Sequence, residues 1–362
     1  MVLPLDDDFR KIVINNTPLL DVRAPIEFAK GSFYNTTNIP IMDDEQRHLV
    51  GTEYKRSGNE SAVKLAEELI KNEGKEDRVV QWRSFIKENP QAKLFCFRGG
   101  QRSKISQEWL NESGINITRL KGGYKAFRSF LMEESLDISA KTPTIILGGH
   151  TGSGKTILLS KFDNFIDLEA LANHRGSSFG NFANKQPAQI DFENNLSYKL
   201  IQFQESKHKN LILEHESQNI GKEFIPKPLY ENLMDGKLVI LETPLEQRVA
   251  ITYHEYITLE LKKYTDIYNE NGLKKWNKYV VKSLDKIKKR IGSELHKELY
   301  MLFEDAYKKH GTSYASSQYK LFIAKLLTHY YDPMYDYQIQ KTAIEIVFRG
   351  NEEEVVEYLR SL

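Results

Sequence analysis

Cysteine is almost missing from this chain: 362 residues hold one, Cys96. That excludes an internal disulfide framework and a Cys-only metal site, fits a reducing compartment, and leaves the thiol no internal resolving partner. An excess of either charge is missing too, with 51 Lys and Arg against 50 Asp and Glu. A globally basic nucleic-acid binder is therefore excluded, although local patches are not. No apolar run approaches the roughly 18 residues of a membrane span, and the opening "MVLPLDDDFRKIVINN" lacks the basic-then-apolar order of a secretory signal. A cytoplasmic chain without membrane contact is expected. Internal repeats and low-complexity tracts are also absent. What remains is 40% apolar residues, enough for ordinary packed cores, in a length that suggests two or three domains.

The one thiol stands in "LFCFRGGQRS", residues 94–103. Lys93 to Phe97 reads as a short buried strand and Ser103 to Glu112 as a helix stopped by Gly114. Cys96 then sits at the strand's carboxyl end, and Arg98, Gly99, Gly100, Gln101 and Arg102 form the turn into the helix. Paired glycines let successive N–H groups face one concavity, and a helix N-terminus and two guanidinium groups add positive charge. Such a turn favours a reactive thiolate over an inert core thiol.

Short apolar runs alternate with helical patterns up to about Glu134, as in an α/β unit. "TPLLDVRAPIEFAKGSF" gives a strand ending at Asp21, Val22 and Arg23, followed by a helix near Pro25 to Lys30; "SAVKLAEELIKNEG" gives a longer helix. "ESLDISAKTP", residues 134–143, is polar, closes on proline and reads as a linker. A second α/β segment follows, with strands in "TIILGG", "NLILEHES" and "KLVILET". From Tyr256 to Tyr337 the pattern is helical, and "AIEIVFRG" with "NEEEVVEYLRSL" supplies a strand and helix able to rejoin the second sheet. The expected division is 1–134, 135–255, a helical insertion at 256–340, and 341–362.

"GHTGSGKT", Gly149 to Thr156, matches the phosphate-binding pattern G-x-x-x-x-G-K-[ST] and directly follows a strand, as that pattern requires. Gly149, Gly152 and Gly154 allow the backbone, with Ser153, to wrap an anion. Lys155 reaches terminal phosphate oxygens, and the Thr156 hydroxyl can hold Mg²⁺. The pattern specifies a diphosphate and not the group attached to it. A guanine-reading Asn-Lys-x-Asp is missing, the nearest match being Asn184-Lys185-Gln186-Pro187. Asp167, Glu169, Glu214 and Glu216 are the candidates for the acid on the metal side.

Two further stretches bear on substrate. "LANHRGSSFGN", residues 171–181, is dense in glycine and donors, and its His174, Arg175 and Ser177 suit an anionic or nucleotide ligand. Between Lys262 and Arg290, ten basic residues face three acidic ones, with Tyr264, Tyr268, Trp276 and Tyr279 interleaved. That composition suits phosphate contacts and base stacking on RNA, with Lys286, Lys288, Lys289 and Arg290 the densest cluster.

Together these motifs resemble the tRNA 2-selenouridine synthases, in which a rhodanese domain is fused to a P-loop domain. The resemblance spans essentially the whole chain: "LLDVRAPIEFAKGSF" with "NIP", "CFRGGQRS", "LKGGYKAFR", "GGHTGSGKT", "DLEALANHRGSSFG", "QPAQIDFEN" and "EHESQNIG". It implies an α/β fold, a rhodanese-like domain and then a P-loop NTPase-like α/β domain with a helical insertion. It implies catalytic roles for Cys96, Arg98, Arg102 and Ser103, with Asp21, Arg23, Gly99 and Gly100 supporting them. In the implied chemistry, wobble 2-thiouridine of tRNA is S-geranylated from geranyl diphosphate, and selenium from selenophosphate then displaces the geranylated sulfur. No tightly bound cofactor is implied, and Mg²⁺ could accompany the diphosphate. Five residues separate Cys96 from Arg102, where ordinary rhodaneses have four. That longer spacing is shared with phosphatases of rhodanese fold, so a phosphatase, a protein-directed sulfurtransferase and a P-loop kinase or NTPase with a regulatory rhodanese domain remain rivals.

Overall fold

The structure is a computed structural model describing residues 3–72, 74–181 and 183–362. Contacts divide the chain into two compact units, residues 3–139 with 188–207, and 140–187 with 208–362.

The first unit is built on strands β1 (Leu5–Asp6), β2 (Leu19–Asp21), β3 (Thr36–Asn38), β4 (Lys93–Phe95) and β5 (Thr118–Leu120). They form one parallel sheet in the order β1-β5-β4-β2-β3. Leu20, Leu94 and Leu110 are fully buried, with Trp82 closing one face. Strands buried on both faces read as apolar runs without alternation, which is why β2 and β4 stand out in the sequence while the more exposed β1 and β3 do not. The expected helix near Pro25 is Pro25–Phe28, and the one following Cys96 is Gln101–Glu112. The helix expected at residues 61–74 belongs to a longer stretch, Asp44–Asn72, broken at Gly58, where φ is 84°. Glu73, part of that expectation, lies outside the described residues.

Two sequence expectations change here. Residues 134–141 are no linker, because the helix Gly123–Lys141 runs through them. Leu131, Ser135 and Ile138 are buried at helical spacing, and the small polar serines disguise the buried face. The helix Gln189–Gln204 was expected in the P-loop segment and lies in the first unit. Its apolar face, Phe192, Leu196, Leu200 and Ile201, is fully buried, and Asp191 Oδ1 accepts from the Ser32 backbone N–H at 2.6 Å.

The second unit carries β6 (Thr144–Gly148), β7 (Phe165–Ile166), β8 (Leu211–Glu214), β9 (Asn219–Ile220), β10 (Glu223–Phe224), β11 (Lys237–Leu241) and β12 (Ile346–Gly350). The order β12-β11-β6-β8-β7 is all parallel, with β6 at its centre, while β9 and β10 pair as a small antiparallel ribbon. β12 pairs with β11, so the last strand does return to this sheet after the helices. Those helices include Gly272–Ile291, Ser293–Lys308 and Ser313–Leu326, packed around Trp276, Phe303 and Tyr319. No helix among the described residues is long and apolar enough to cross a membrane.

Candidate active site

Cys96 follows β4 directly, and its side chain is only 3% exposed. The thiol donates to Ser103 Oγ at 3.1 Å, and Ser103 in turn donates to the Gly100 carbonyl at 3.1 Å. Gly99 has φ 63° and Gly100 caps the following helix. From Arg98 to Arg102 no backbone N–H meets a protein acceptor among the described residues, so the turn offers a row of donors to an anion. The segment Gly122–Lys125 supports this turn from behind. Tyr124 N–H donates to the Cys96 carbonyl and Lys125 N–H to the Phe97 carbonyl, both at 2.9 Å.

The two arginines of the turn differ. Arg98 is exposed over the Phe97 ring, at 5.9 Å from its centroid. Arg102 is clasped by Glu27, Nη1 to Oε2 at 2.5 Å and Nη2 to Oε1 at 3.1 Å. Burial alone would push the Glu27 carboxyl up, but the bonds and charge of Arg102 hold it below its ordinary range. Asp21 and Arg23 form a buried pair, Nε to Oδ2 at 2.8 Å, with Arg23 also reaching the Gly31 carbonyl and lying 3.9 Å from the Tyr124 ring centroid. At 0% and 2% exposure the pair is closed off from solvent at the end of β2.

In the second unit, β6 and β8 are adjacent and in register, Leu147 opposite Glu214, which sets the glycine-rich loop beside that acid. Thr156 Oγ1 donates to Glu214 at 2.6 Å, and Lys155 Nζ reaches the Gly149 carbonyl at 3.2 Å. Gly152 and Gly154 have φ of 77° and 84°. A β-carbon on Gly152 would lie 2.3 Å from Thr252 Oγ1, so glycine is needed for the close approach of helix Leu245–Thr252. Ser153 is buried within the loop.

Of the four candidate acids, three converge. Carboxylate oxygens of Glu169, Glu214 and Glu216 lie within 4.8 Å of one another, whereas Asp167 caps helix Leu168–Ala172 through the Ala170 N–H. Burial and then the neighbouring carboxylates raise Glu169 well above its ordinary range and Glu216 to about 7; burial also raises Glu214, against Lys155 and Thr156. Three clustered carboxylates, Glu214 buried and Glu169 and Glu216 half-buried, beside a threonine hydroxyl are hard oxygen donors, the set that suits Mg²⁺. Such an ion would supply charge neutralisation at a diphosphate.

These groups line a cavity of about 510 Å³, which Arg175, Ser177, Tyr256, Arg290 and Tyr331 complete. Arg175 pairs with Glu255 at 3.5 Å and lies over the Tyr256 ring. His174 faces a separate cleft beside this cavity. Lys286 also lines that cleft, but Lys288 and Lys289 line neither space. Three of the four aromatics in the basic stretch are corrected, while the fourth, Tyr268, is half-buried with Lys275 Nζ 4.0 Å from its ring centroid. Trp276 is 0% exposed, Tyr264 is buried, and Tyr279 packs on the helical core while donating to the Phe179 carbonyl, so none of these three forms a stacking surface for bases.

Comparison with known proteins decides the relationship. Residues 142–362 match the family model described as the tRNA 2-selenouridine synthase AAA domain. Proteins named tRNA 2-selenouridine synthase are 51% identical in Sulfurovum sp., over 99% of this chain and 98% of theirs, and 43% identical in Hydrogenovibrio crunogenus, over 99% of both. A third, from Shewanella frigidimarina, is 40% identical over 99% and 98%. The chain belongs to the tRNA 2-selenouridine synthase family.

Within this tRNA 2-selenouridine synthase framework, several site residues carry no sequence signal. Arg248, 4% exposed, donates to the Thr151 carbonyl at 3.0 Å and pairs with Asp332, tying the glycine-rich loop to helix Asp332–Lys341. Tyr256 and Tyr331 come from two π-helical turns, Tyr253–Leu259 and Leu327–Tyr331, a local geometry often found at functional sites. His150, inside the motif, bonds Asp336 at 2.8 Å. Glu27 was visible in the sequence only as a helix residue.

Proposed function

We propose that this enzyme replaces the sulfur of wobble 2-thiouridine in tRNA by selenium in two steps, working in the cytoplasm. The first unit is read as the rhodanese-like part and the second as the P-loop part. In the first step the thiouridine sulfur attacks C1 of geranyl diphosphate, the C–O bond breaks, and diphosphate leaves. Gly149 to Thr156 hold that diphosphate, Lys155 neutralises it, and Glu169, Glu214 and Glu216 with Thr156 would hold Mg²⁺. In the second step selenium from selenophosphate bonds to C2, geranylthiol leaves, and water takes up the phosphoryl group as phosphate. Cys96 handles the selenium donor, whose phosphate group suits the free N–H row of residues 98–102 and the charge of Arg98.

The observation that carries a prenyl over a nucleotide substrate is a small apolar cavity, about 50 Å³, adjoining the glycine-rich loop, with room for the first carbons of a prenyl chain. It shares Thr151, Ser177, Tyr256 and Tyr331 with the diphosphate cavity and is closed by Phe179 and Phe322, among other apolar side chains. An apolar tail suits such walls, whereas a purine would leave its ring nitrogens unpaired there. Calorimetric titration tests this: geranyl diphosphate with Mg²⁺ should bind at micromolar concentration and compete with inorganic diphosphate. Tight ATP binding with no geranyl diphosphate binding would replace this reading with a nucleotide-hydrolysing one.

A further inference from the structure

Beside the diphosphate cavity lies an open cleft of about 900 Å³, large enough for one nucleotide and more polar than a site for an apolar ligand. Its walls are the loop after helix Leu168–Ala172, the turn between β9 and β10, and one face of helix Gly272–Ile291. Lys185, Lys222, Lys286 and Arg290 line it, and its described lining holds no carboxylate. In a chain of almost zero net charge, four cations of which three have no acidic partner among the described residues mark a place for an anion. Lys286 has no acidic partner among the described residues, whereas Lys222 is held by the Pro187 carbonyl and Glu223.

The floor has a different character. His174 is 5% exposed, and its buried Nδ1 has no hydrogen-bond partner. Burial, and then the charge of Lys286, lowers its pKa, so the ring is neutral at pH 7 and can offer one donor and one acceptor. The Asn181 side-chain amide, half-buried beside it, makes no hydrogen bond among the described residues. Amide and neutral imidazole together can pair the edge of a nucleobase, while the cations above them suit its phosphates. The cleft and the diphosphate cavity share Gly176, Ser177, Ser178 and Arg290 as a common wall.

We propose that this cleft holds the nucleotide adjoining the target uridine, its phosphate on Lys286 and Arg290 and its base against His174 and Asn181. The proposal rests on the tRNA reading above and adds that the enzyme reads a neighbour of its target. Lys286 and Lys288 stand on different faces of their helix, only the former in the cleft, which supplies an internal control.

The test is fluorescence-anisotropy titration of a 2-thiouridine anticodon stem-loop, intact or made abasic at the 5′ or the 3′ neighbour of the target. With the intact probe, Lys286→Ala should weaken binding about tenfold and reduce the salt slope by roughly 0.7, with Lys288→Ala near wild type. One abasic probe should bind wild type about tenfold more weakly than the intact one. In His174→Ala and in Asn181→Ala, the second keeping the test open should the buried histidine be needed for folding, that difference should vanish. Equal losses at Lys286 and Lys288, or an abasic penalty that is missing in wild type or unchanged in Asn181→Ala, would overturn the proposal while leaving the tRNA reading intact. Failure of wild type to bind the intact stem-loop would instead overturn the tRNA reading itself.

Discussion

Gly123 lies so close to Cys96 that a β-carbon on it would sit 2.2 Å from the Cys96 carbonyl oxygen. Its φ of 61° is one that other residues resist. The glycine pair in "LKGGYKAFR" therefore serves the thiol loop, twenty-seven positions away in the chain, through contact alone. Gly123→Ala should displace residues 96–99 and cut selenium transfer by more than about tenfold, with a loss of roughly 1–3 kcal/mol in stability. Denaturant melts and nucleoside analysis of the product check both, and geranyl diphosphate binding should stay unchanged.

The clasp of Arg102 by Glu27 implies that this arginine positions the turn as well as lending it charge. Arg102→Lys keeps the charge and loses the two-pronged bond, so it should retain the fold and lose most of the selenium step. Glu27→Gln should lower acid sensitivity. A carboxyl held below its ordinary range contributes stability above its unfolded value and loses it as pH falls through the folded one, so the wild-type advantage over Glu27→Gln should fade below about pH 4.5.

The three-carboxylate cluster gives the opposite sign. Its raised values mean that the native cluster binds protons that the unfolded chain has released. Stability in metal-free buffer should therefore fall as pH rises from about 4.5 toward 7, while Mg²⁺ should restore it more strongly at pH 8 than at pH 5.5. Glu216→Gln should raise the melting temperature in chelator at pH 8 and shrink the Mg²⁺ effect. Differential scanning fluorimetry reads both.

Trp276 separates a structural role from RNA stacking. Trp276→Ala should cost about 3–5 kcal/mol, as loss of a fully buried aromatic does. The salt slope of tRNA binding by the folded fraction should be unchanged.

Much of this was legible beforehand for one physical reason: parallel strands buried on both faces and glycine-rich turns leave local signals. β4 with Cys96 and β6 with Gly149 to Thr156 could be placed from a dozen residues each. Contacts between distant segments leave no such trace. Nothing near Arg102 points to Glu27, 75 positions earlier, and nothing in "LILEHES" says that Glu169 will join Glu214 and Glu216. Tyr264, Trp276 and Tyr279 misled because composition records which residues a helix carries and not which face it buries. The serines of 134–141 misled in the reverse sense, being polar by type and buried by position.

The most direct test of the account is mass spectrometry of tRNA nucleosides after incubation with purified enzyme, Mg²⁺, geranyl diphosphate and selenophosphate. Wild type should yield 2-selenouridine, Lys155→Ala should leave 2-thiouridine, and Cys96→Ala should stop at S-geranyl-2-thiouridine. If wild type left 2-thiouridine untouched, or if both variants made 2-selenouridine at the wild-type rate, the division of labour assigned to Cys96 and Lys155 would be contradicted.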